Sequence, residues 1–222
     1  MTLPTRISDG ALQHELRRLK PNRKTSMSKN ASTADGWDEE YRRGRWSFLR
    51  DLPESGRYGI IGMWLALNGS LDNVLDIGCG EGLLYERLQP MGIQRYVGVD
   101  LAPAALGIAD VDPQIASLRA GDLHTFAPEK GETFSAIVFN EVLHFSDDPA
   151  AAVARYVPFL APGGVIAVSM YSPKRLESGA NRLIARLWEA TDGPDWDVLD
   201  DYRLTSDKKN VTWRLRLLKP AA

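Results

Sequence analysis

The sequence predicts an α/β fold: a doubly wound, mostly parallel sheet of seven strands that closes with a C-terminal antiparallel hairpin. Three observations predict it. Short apolar stretches alternate with helical ones from residue 73 to residue 170, the rhythm of βαβ units joined by right-handed crossovers. A glycine-rich turn links the first strand to the helix that follows it, as in open α/β sheets that bind ligands at their strand ends. The end of the chain then changes period. Val211, Trp213, Leu215 and Leu217 alternate after a short polar connection at 205–209, which suits a hairpin at the sheet edge.

Taken in order, residues 37–44 have a helical flavour, and Trp46, Phe48 and Leu49 follow them. Tyr58, Ile61, Trp64 and Leu65 recur at helical spacing within 54–67, and Asn68-Gly69 stops that helix. Residues 73–77 form a first strand, and 82–88 a helix ended by Pro90 and Gly92. A second strand spans 95–99, a second helix 102–109 and a weaker third strand 115–120. Residues 134–139 (FSAIVF) are almost wholly apolar, as a central strand buried on both faces should be. A helix over 149–160 closes at Pro162-Gly163-Gly164 and leads into a fifth strand, 165–170. An amphipathic helix at 180–190 precedes the two hairpin strands, 196–204 and 210–218.

Composition narrows the class. The chain has 222 residues, 44% apolar and 25% charged, the balance of a single globular domain rather than of a collagenous or disordered chain. Its longest apolar run, 58–67, is far short of the ~20 residues that a membrane span needs. One cysteine, Cys79, allows neither an intrachain disulfide nor a paired-cysteine metal site. No apolar secretory stretch lies near Met1, so a cytoplasmic location is expected. The net charge of −2 hides a division: residues 1–34 hold seven Lys/Arg against Asp9 and Glu15, a net of +5, and the rest of the chain is −7. The expected layout is a basic, flexible leader over 1–34, with at most a short helix at 11–19, and a folded domain over 35–222. An acidic body argues against nucleic acid as a partner, and no membrane partner is expected.

Glycines at 78, 80 and 82 allow a tight turn and a close approach to a flat ligand where a Cβ would intrude. Asp100 follows directly on the second strand, where an acid can accept from both hydroxyls of a ribose. The dinucleotide fingerprint would require glycine at 83, and Leu83 stands there instead. That mismatch weighs against a pyrophosphate ligand. The plain alternative is a generic strand-to-helix turn with a capping aspartate.

The runs VLDIGCGEG, YVGVDLAPAAL, AGDLHTF, FSAIVFNEVLHF and LAPGGVIAVSM, in this order across about 70–172, resemble the motif series of class I S-adenosylmethionine-dependent methyltransferases, whose sixth and seventh strands the final hairpin matches. The resemblance implies S-adenosylmethionine as cofactor. It implies that Gly78, Cys79 and Gly80 pack against the methionine part, and that Asp76 orients the turn or reaches the amino group. Asp100 would hold the ribose, with Leu101 beside the adenine. Asp122, after Gly121, would accept from the adenine amino group, and Leu123 would contribute backbone. Asn140 would lie near the methionine moiety and the substrate. The pattern WDEEYRRGRWSFL followed by ESGRYGII is similar to the leader of small methyltransferases, whose helices form a lid over the cofactor. Residues 35–69 are therefore expected as lid helices, with Tyr41 covering the methyl group and Arg57 forking onto the cofactor carboxylate. The alternatives are core packing for Tyr58 and a surface ion pair for Arg57.

A hydroxyl or thiol acceptor needs its proton removed. His144, four residues after Asn140, is the first candidate base, with Glu141 the second; the plain alternative for His144 is a surface histidine on a loop. No metal is expected, because Asn140 stands where metal-dependent relatives place a carboxylate. Adenine-N6 and cytosine-C5 chemistry are excluded by the absence of an Asn/Asp-Pro-Pro-aromatic run after the fourth strand and by Cys79 lying in the wrong loop. Substrate choice is expected from Trp37, Tyr41 and Trp46 and from a substrate-side insertion over 171–196, where Arg182 and Arg186, four apart on one helix face, form a solvated face or, as the alternative, meet an anionic substrate. The expected function is methyl transfer to an oxygen or nitrogen of a small molecule, by a monomer or homodimer. A nicotinamide-dependent oxidoreductase and a non-catalytic methyltransferase-like partner subunit are the alternatives.

Overall fold

The computed structural model describes residues 33–175, 177–207 and 209–221. The leader expected at 1–34, with its short helix at 11–19, lies outside them except for Thr33 and Ala34. The sheet has seven strands: β1 (Val74–Ile77), β2 (Tyr96–Asp100), β3 (Ala116–Ala120), β4 (Phe134–Asn140), β5 (Leu160–Ser172), β6 (Trp196–Ser206) and β7 (Val211–Pro220). Their order is β3-β2-β1-β4-β5-β7-β6. Every pairing from β3 to β5 is parallel, and β7 runs antiparallel to both β5 and β6. The doubly wound sheet with its closing hairpin is the one the sequence predicts.

Among the described residues six α-helices flank the sheet: α1 (Ala34–Arg42), α2 (Ser55–Leu67), α3 (Leu83–Leu88), α4 (Pro103–Leu106), α5 (Pro149–Tyr156) and α6 (Gly179–Thr191). Alternation along β1 explains the two layers. Val74 faces a core with Ile61, Trp64 and Leu65 of α2 and Leu84 and Leu88 of α3. Leu75 and Ile77 face the opposite core, with Val153 and Tyr156 of α5 and Ile184 and Leu187 of α6. A strand buried on both sides needs a largely apolar run, which is why β1 and β4 were readable from composition. The order reverses between β1 and β4, and the crevice at their carboxyl ends is where such sheets bind ligands.

Several boundaries differ from the sequence reading. Helix 102–109 shrinks to the single turn of α4, which Gly107 ends. Helix 149–160 stops at Tyr156 because Pro158 cannot continue it, and a 3₁₀ turn, Val157–Phe159, follows. β5 begins at Leu160 rather than at 165, since Leu160 pairs with Phe134 before an irregularity in the register. The hairpin turn is shorter than expected, with Asn210 in the left-handed region at φ 57°, which asparagine tolerates. Half of the segment 171–196 is α6, which buries Ile184, Leu187 and Trp188. Arg182 bonds the Glu177 carbonyl, and Arg186 bonds the Asp147 carbonyl and pairs with Asp148.

Two side-chain devices fix the layers near the crevice. Asp148 caps α5 by accepting from the Ala151 amide, with Pro149 in the first turn. The fully buried Tyr156 donates its hydroxyl to the Leu123 carbonyl at 2.8 Å, which ties α5 to the loop after β3. Tyr156→Phe leaves that carbonyl without its donor, so urea unfolding should show a loss of about 1–2 kcal/mol. An unchanged midpoint would mean that this bond does not hold the loop.

Candidate active site

The glycine-rich turn is built from left-handed backbone. Gly78 and Gly80 have φ of 75° and 54°, a region that costs most L-residues energy but glycine nothing. Space demands glycine as well. A Cβ at Gly78 would lie 2.5 Å from the Val142 side chain, and one at Gly80 would lie 2.7 Å from the Tyr41 hydroxyl. The amides of Gly78 and Cys79 both donate to the Val99 carbonyl, and the Gly80 amide donates to Asp100 Oδ2 at 2.8 Å. The turn after β1 is thereby pinned to the end of β2.

Asp100 is the hinge of this arrangement. Its Oδ1 accepts from the Ala102 amide at 2.8 Å, and its backbone carbonyl accepts from the Gly121 amide. Burial raises its carboxyl above the usual range, while the amides of Ala102, Gly80 and Leu101 draw it back. Each carboxylate oxygen keeps a lone pair beyond its amide bond. In the next loop, Asp122 Oδ1 accepts from the His124 amide at 2.7 Å, and Leu123 is buried with its carbonyl held by Tyr156. The bonds of Gly80 and Gly121 to Asp100 therefore bring the turn after β1 and the residue after β3 to the end of β2.

A small cavity of about 50 Å³ lies under the turn, lined by Tyr41, Arg57, Asp76, Gly78, Asn140 and Glu141 among others. Arg57 is only 1% exposed, so the surface ion pair considered for it does not exist. Its Nη1 donates to the carboxylate and carbonyl of Glu54, its Nε to Asn140 Oδ1 at 3.2 Å, and its Nη2 to the Tyr58 hydroxyl. Four of the five N–H groups of a guanidinium are thus engaged among the described residues. Glu141 has φ 66°, a strained conformation for a long side chain. Its two carboxylate oxygens accept from the Ser169 hydroxyl and the Tyr171 amide. Through these bonds Glu141 buttresses the end of β5.

His144 stands in the helical turn Leu143–Phe145. It is not a surface histidine: neither ring nitrogen is exposed, and neither has a hydrogen-bond partner among the described residues. Burial lowers its pKa below the ordinary 6.5, opposed in part by the charge of Glu141, so it is neutral at pH 7. Cys79 is buried and its thiol is pushed well up, chiefly by burial, which makes it unreactive. The Tyr41 hydroxyl is raised likewise by burial and by the Asp100 charge.

The sequence did not single out several residues that build this site. Glu54 is the buried partner of Arg57, three positions away, a spacing that the sequence displays. Tyr96 donates its hydroxyl to Asp76 Oδ2 at 2.6 Å, yet it reads only as an apolar strand residue. Asp38 accepts from the Ala104 amide, and Arg50 pairs with Glu81 and Glu86; these contacts hold the first elements over the turn.

Asp76 is 2% exposed, and its Oδ1 has no partner among the described residues. Burial raises its carboxyl to about 7 against the lowering effect of the Tyr96 bond. Below about pH 4 the group is protonated in folded and unfolded chains alike. Between about pH 4 and 7 the unfolded chain gives up the proton first, so this carboxyl costs stability as pH rises, in full above about 7. From pH 4 to pH 8 the loss should be on the order of 2–4 kcal/mol, and Asp76→Asn should remove it. Urea titrations across that range check this; parallel profiles for the two proteins would contradict it.

Among the described residues no helix is long and apolar enough to cross a membrane. The model of a methyltransferase-domain family matches residues 9–206. A ubiquinone biosynthesis O-methyltransferase of Aromatoleum aromaticum is 32% identical over 109 residues, 46% of each chain. Its counterpart from Xanthomonas campestris pv. campestris strain B100 is 33% identical over 109 residues, 47% of this chain and 44% of the relative. The matches thus span about half the length of these curated relatives. Among solved structures, the N-methyltransferase NodS of Bradyrhizobium japonicum WM9 with S-adenosyl-l-homocysteine superposes with TM-score 0.65 at 22% identity, covering 83% of this chain and 98% of that one. The plantazolicin methyltransferase BpumL, with a triazolic desmethylPZN analog and SAH, gives TM-score 0.63 at 13% identity over 86% and 95%. These two show a shared fold, and the family match over most of the sequence establishes that the chain belongs to the methyltransferase-domain family.

Proposed function

We propose that this chain transfers the methyl group of S-adenosylmethionine to an oxygen or nitrogen of a small-molecule acceptor, in the cytoplasm. The carrying observation is Asp100, a half-buried carboxylate at the end of β2, oriented by the amides of Gly80 and Ala102 and with lone pairs left for two ribose hydroxyls. The other residues fit the cofactor too. Asp76 Oδ1 is an orphaned buried acceptor on the cavity wall, suited to an α-ammonium group. Arg57 retains one N–H for a carboxylate, and Asn140 lies beside it. Asp122 has a free oxygen for an adenine amino group, with Leu101 and Leu123 as apolar flanks. Leu83 is 5% exposed and packed in the core, where a dinucleotide fold places the third glycine; this disfavours the nicotinamide alternative.

S-Adenosylmethionine, when bound, supplies a methyl group already activated on a sulfonium. What remains for the protein is alignment, which supplies ~7–11 kcal/mol in well-oriented reactions. The turn 78–82 and Asp100 fix the nucleoside, and Tyr41 and the segment around it exclude water from above. For a hydroxyl acceptor a proton must also be taken up. His144, neutral and without a partner, is the group suited to this. Glu141, which accepts from the Ser169 hydroxyl and the Tyr171 amide, braces the end of β5 beside Asn140.

Asp100→Ala removes the proposed ribose contacts and should weaken S-adenosylhomocysteine binding at least about tenfold in calorimetric titration, about 1.5 kcal/mol. Unaltered affinity would remove Asp100 from the cofactor site. His144→Ala should lower turnover of a hydroxyl acceptor by ~10²–10⁴ with cofactor affinity kept; near-normal turnover would exclude it as the base.

A further inference from the structure

Beside the cavity the protein builds an aromatic corner from two distant segments. Trp37 of α1 meets Phe145 edge-to-face at 4.7 Å between ring centroids, and it meets Trp46 at 5.6 Å. Trp46 in turn lies 6.5 Å from Tyr41, which lines the cavity. This corner is not a closed core: Trp37 and Trp46 are half-buried, and Phe145 is 40% exposed. Next to Phe145 stands His144.

Buried polar atoms in folded proteins are nearly always hydrogen-bonded. Here three on this one rim are not: Trp46 Nε1 and both ring nitrogens of His144 have no partner among the described residues. The indole N–H can only donate, and a neutral imidazole offers one donor and one acceptor. An oxygen-bearing ligand satisfies that set. An ammonium group brings donors alone and would leave Trp46 Nε1 unpaired. An anionic ligand is disfavoured by the Glu141 carboxylate, whose charge acts on His144, and by those of Asp100 and Glu81, whose charges act on Tyr41. The tilted and perpendicular rings present faces and edges, which favours a flat aromatic body over an aliphatic one.

We propose that Trp37, Trp46, Phe145 and His144 form the acceptor seat and that it takes a flat hydroxyaromatic molecule, with its ring against the two indoles and its hydroxyl at His144. This rests on the methyl-transfer reading, because the seat is assigned by its place beside the cofactor cavity. Trp37, Trp46 and Phe145 are then residues that set specificity, and His144 is the one that meets the reacting oxygen.

The test uses 2-naphthol and its saturated counterpart, decahydro-2-naphthol, titrated calorimetrically into the full chain with S-adenosylhomocysteine present. 2-Naphthol should bind at least about tenfold more tightly than the saturated alcohol, and Phe145→Ala should weaken it by about the same factor while changing S-adenosylhomocysteine affinity less than about threefold. Trp46→Phe, which keeps a ring and removes the N–H, should weaken 2-naphthol by about three- to tenfold. Equal affinity for the two alcohols in the unmodified protein, or indifference of 2-naphthol to both substitutions, would overturn the aromatic seat alone. A protein that binds 2-naphthol but not S-adenosylhomocysteine would overturn the methyl-transfer reading and, with it, the seat as an acceptor site.

Discussion

The hydrogen bond from the Gly80 amide to the Asp100 carboxylate is the constraint on which the rest of the site depends. It joins the end of β1 to the end of β2 across a register that sets Ile77 beside Val99. The turn reaches Asp100 only because its glycines adopt left-handed backbone and because no Cβ separates Gly78 from Val142. The same aspartate then receives the Gly121 amide on its carbonyl. One residue therefore sets the spacing of three strand ends, and its carboxylate is presented in a fixed direction before any ligand arrives. Such preorganisation lowers what a ligand must spend on ordering the site.

A second constraint is charge. Arg57 and Glu54 form an ion pair 1% and 3% exposed, an arrangement whose desolvation cost is met only when further hydrogen bonds satisfy both groups. On the arginine, Asn140 and Tyr58 supply them here. Glu141 adds a carboxylate in a left-handed conformation, a local strain held by Ser169 and Tyr171. The crevice is thus rich in carboxylates around one cation, a field that suits a sulfonium and an ammonium. The first elements close it from above. With Tyr41 against Gly80 the cavity is about 50 Å³, whereas sites for ligands of drug size span ~300–1,000 Å³. With the cofactor placed as proposed, entry of its nucleoside requires Tyr41 to move aside, and Asp38 with Ala104 and Arg50 with Glu81 and Glu86 are the contacts that hold its segment.

Most of the fold was legible because its physics is local. Strands such as 134–139 announce themselves by largely apolar runs, and the glycines of 78–82 by a conformation that few other residues adopt. The ends of helices were less legible: α4 and α5 stop where glycine and proline act against a pattern that continues through them. Asp100 was marked by its place at the end of the second strand, and Asp76, Asn140 and Asp122 by the resemblance to the methyltransferase motif series. Their partners were not. Tyr96 and Ser169 are ordinary strand residues until the sheet registers set them beside Asp76 and Glu141. The burial of His144 and Arg57 was hidden for the same reason, since it depends on packing between segments more than 80 positions apart, as with Arg57 and Asn140.

Amide hydrogen exchange, followed with and without S-adenosylhomocysteine, addresses the cofactor site most directly, because it reads the amides that form it. Protection should appear at 78–82, at 100–102 and at 121–124, with slowed exchange in α1 as Tyr41 settles over the bound molecule, and NADH should leave these segments unchanged. Exchange at 78–82 and 100–102 that ignores S-adenosylhomocysteine, or that responds to NADH instead, would contradict the placement of the cofactor in this crevice.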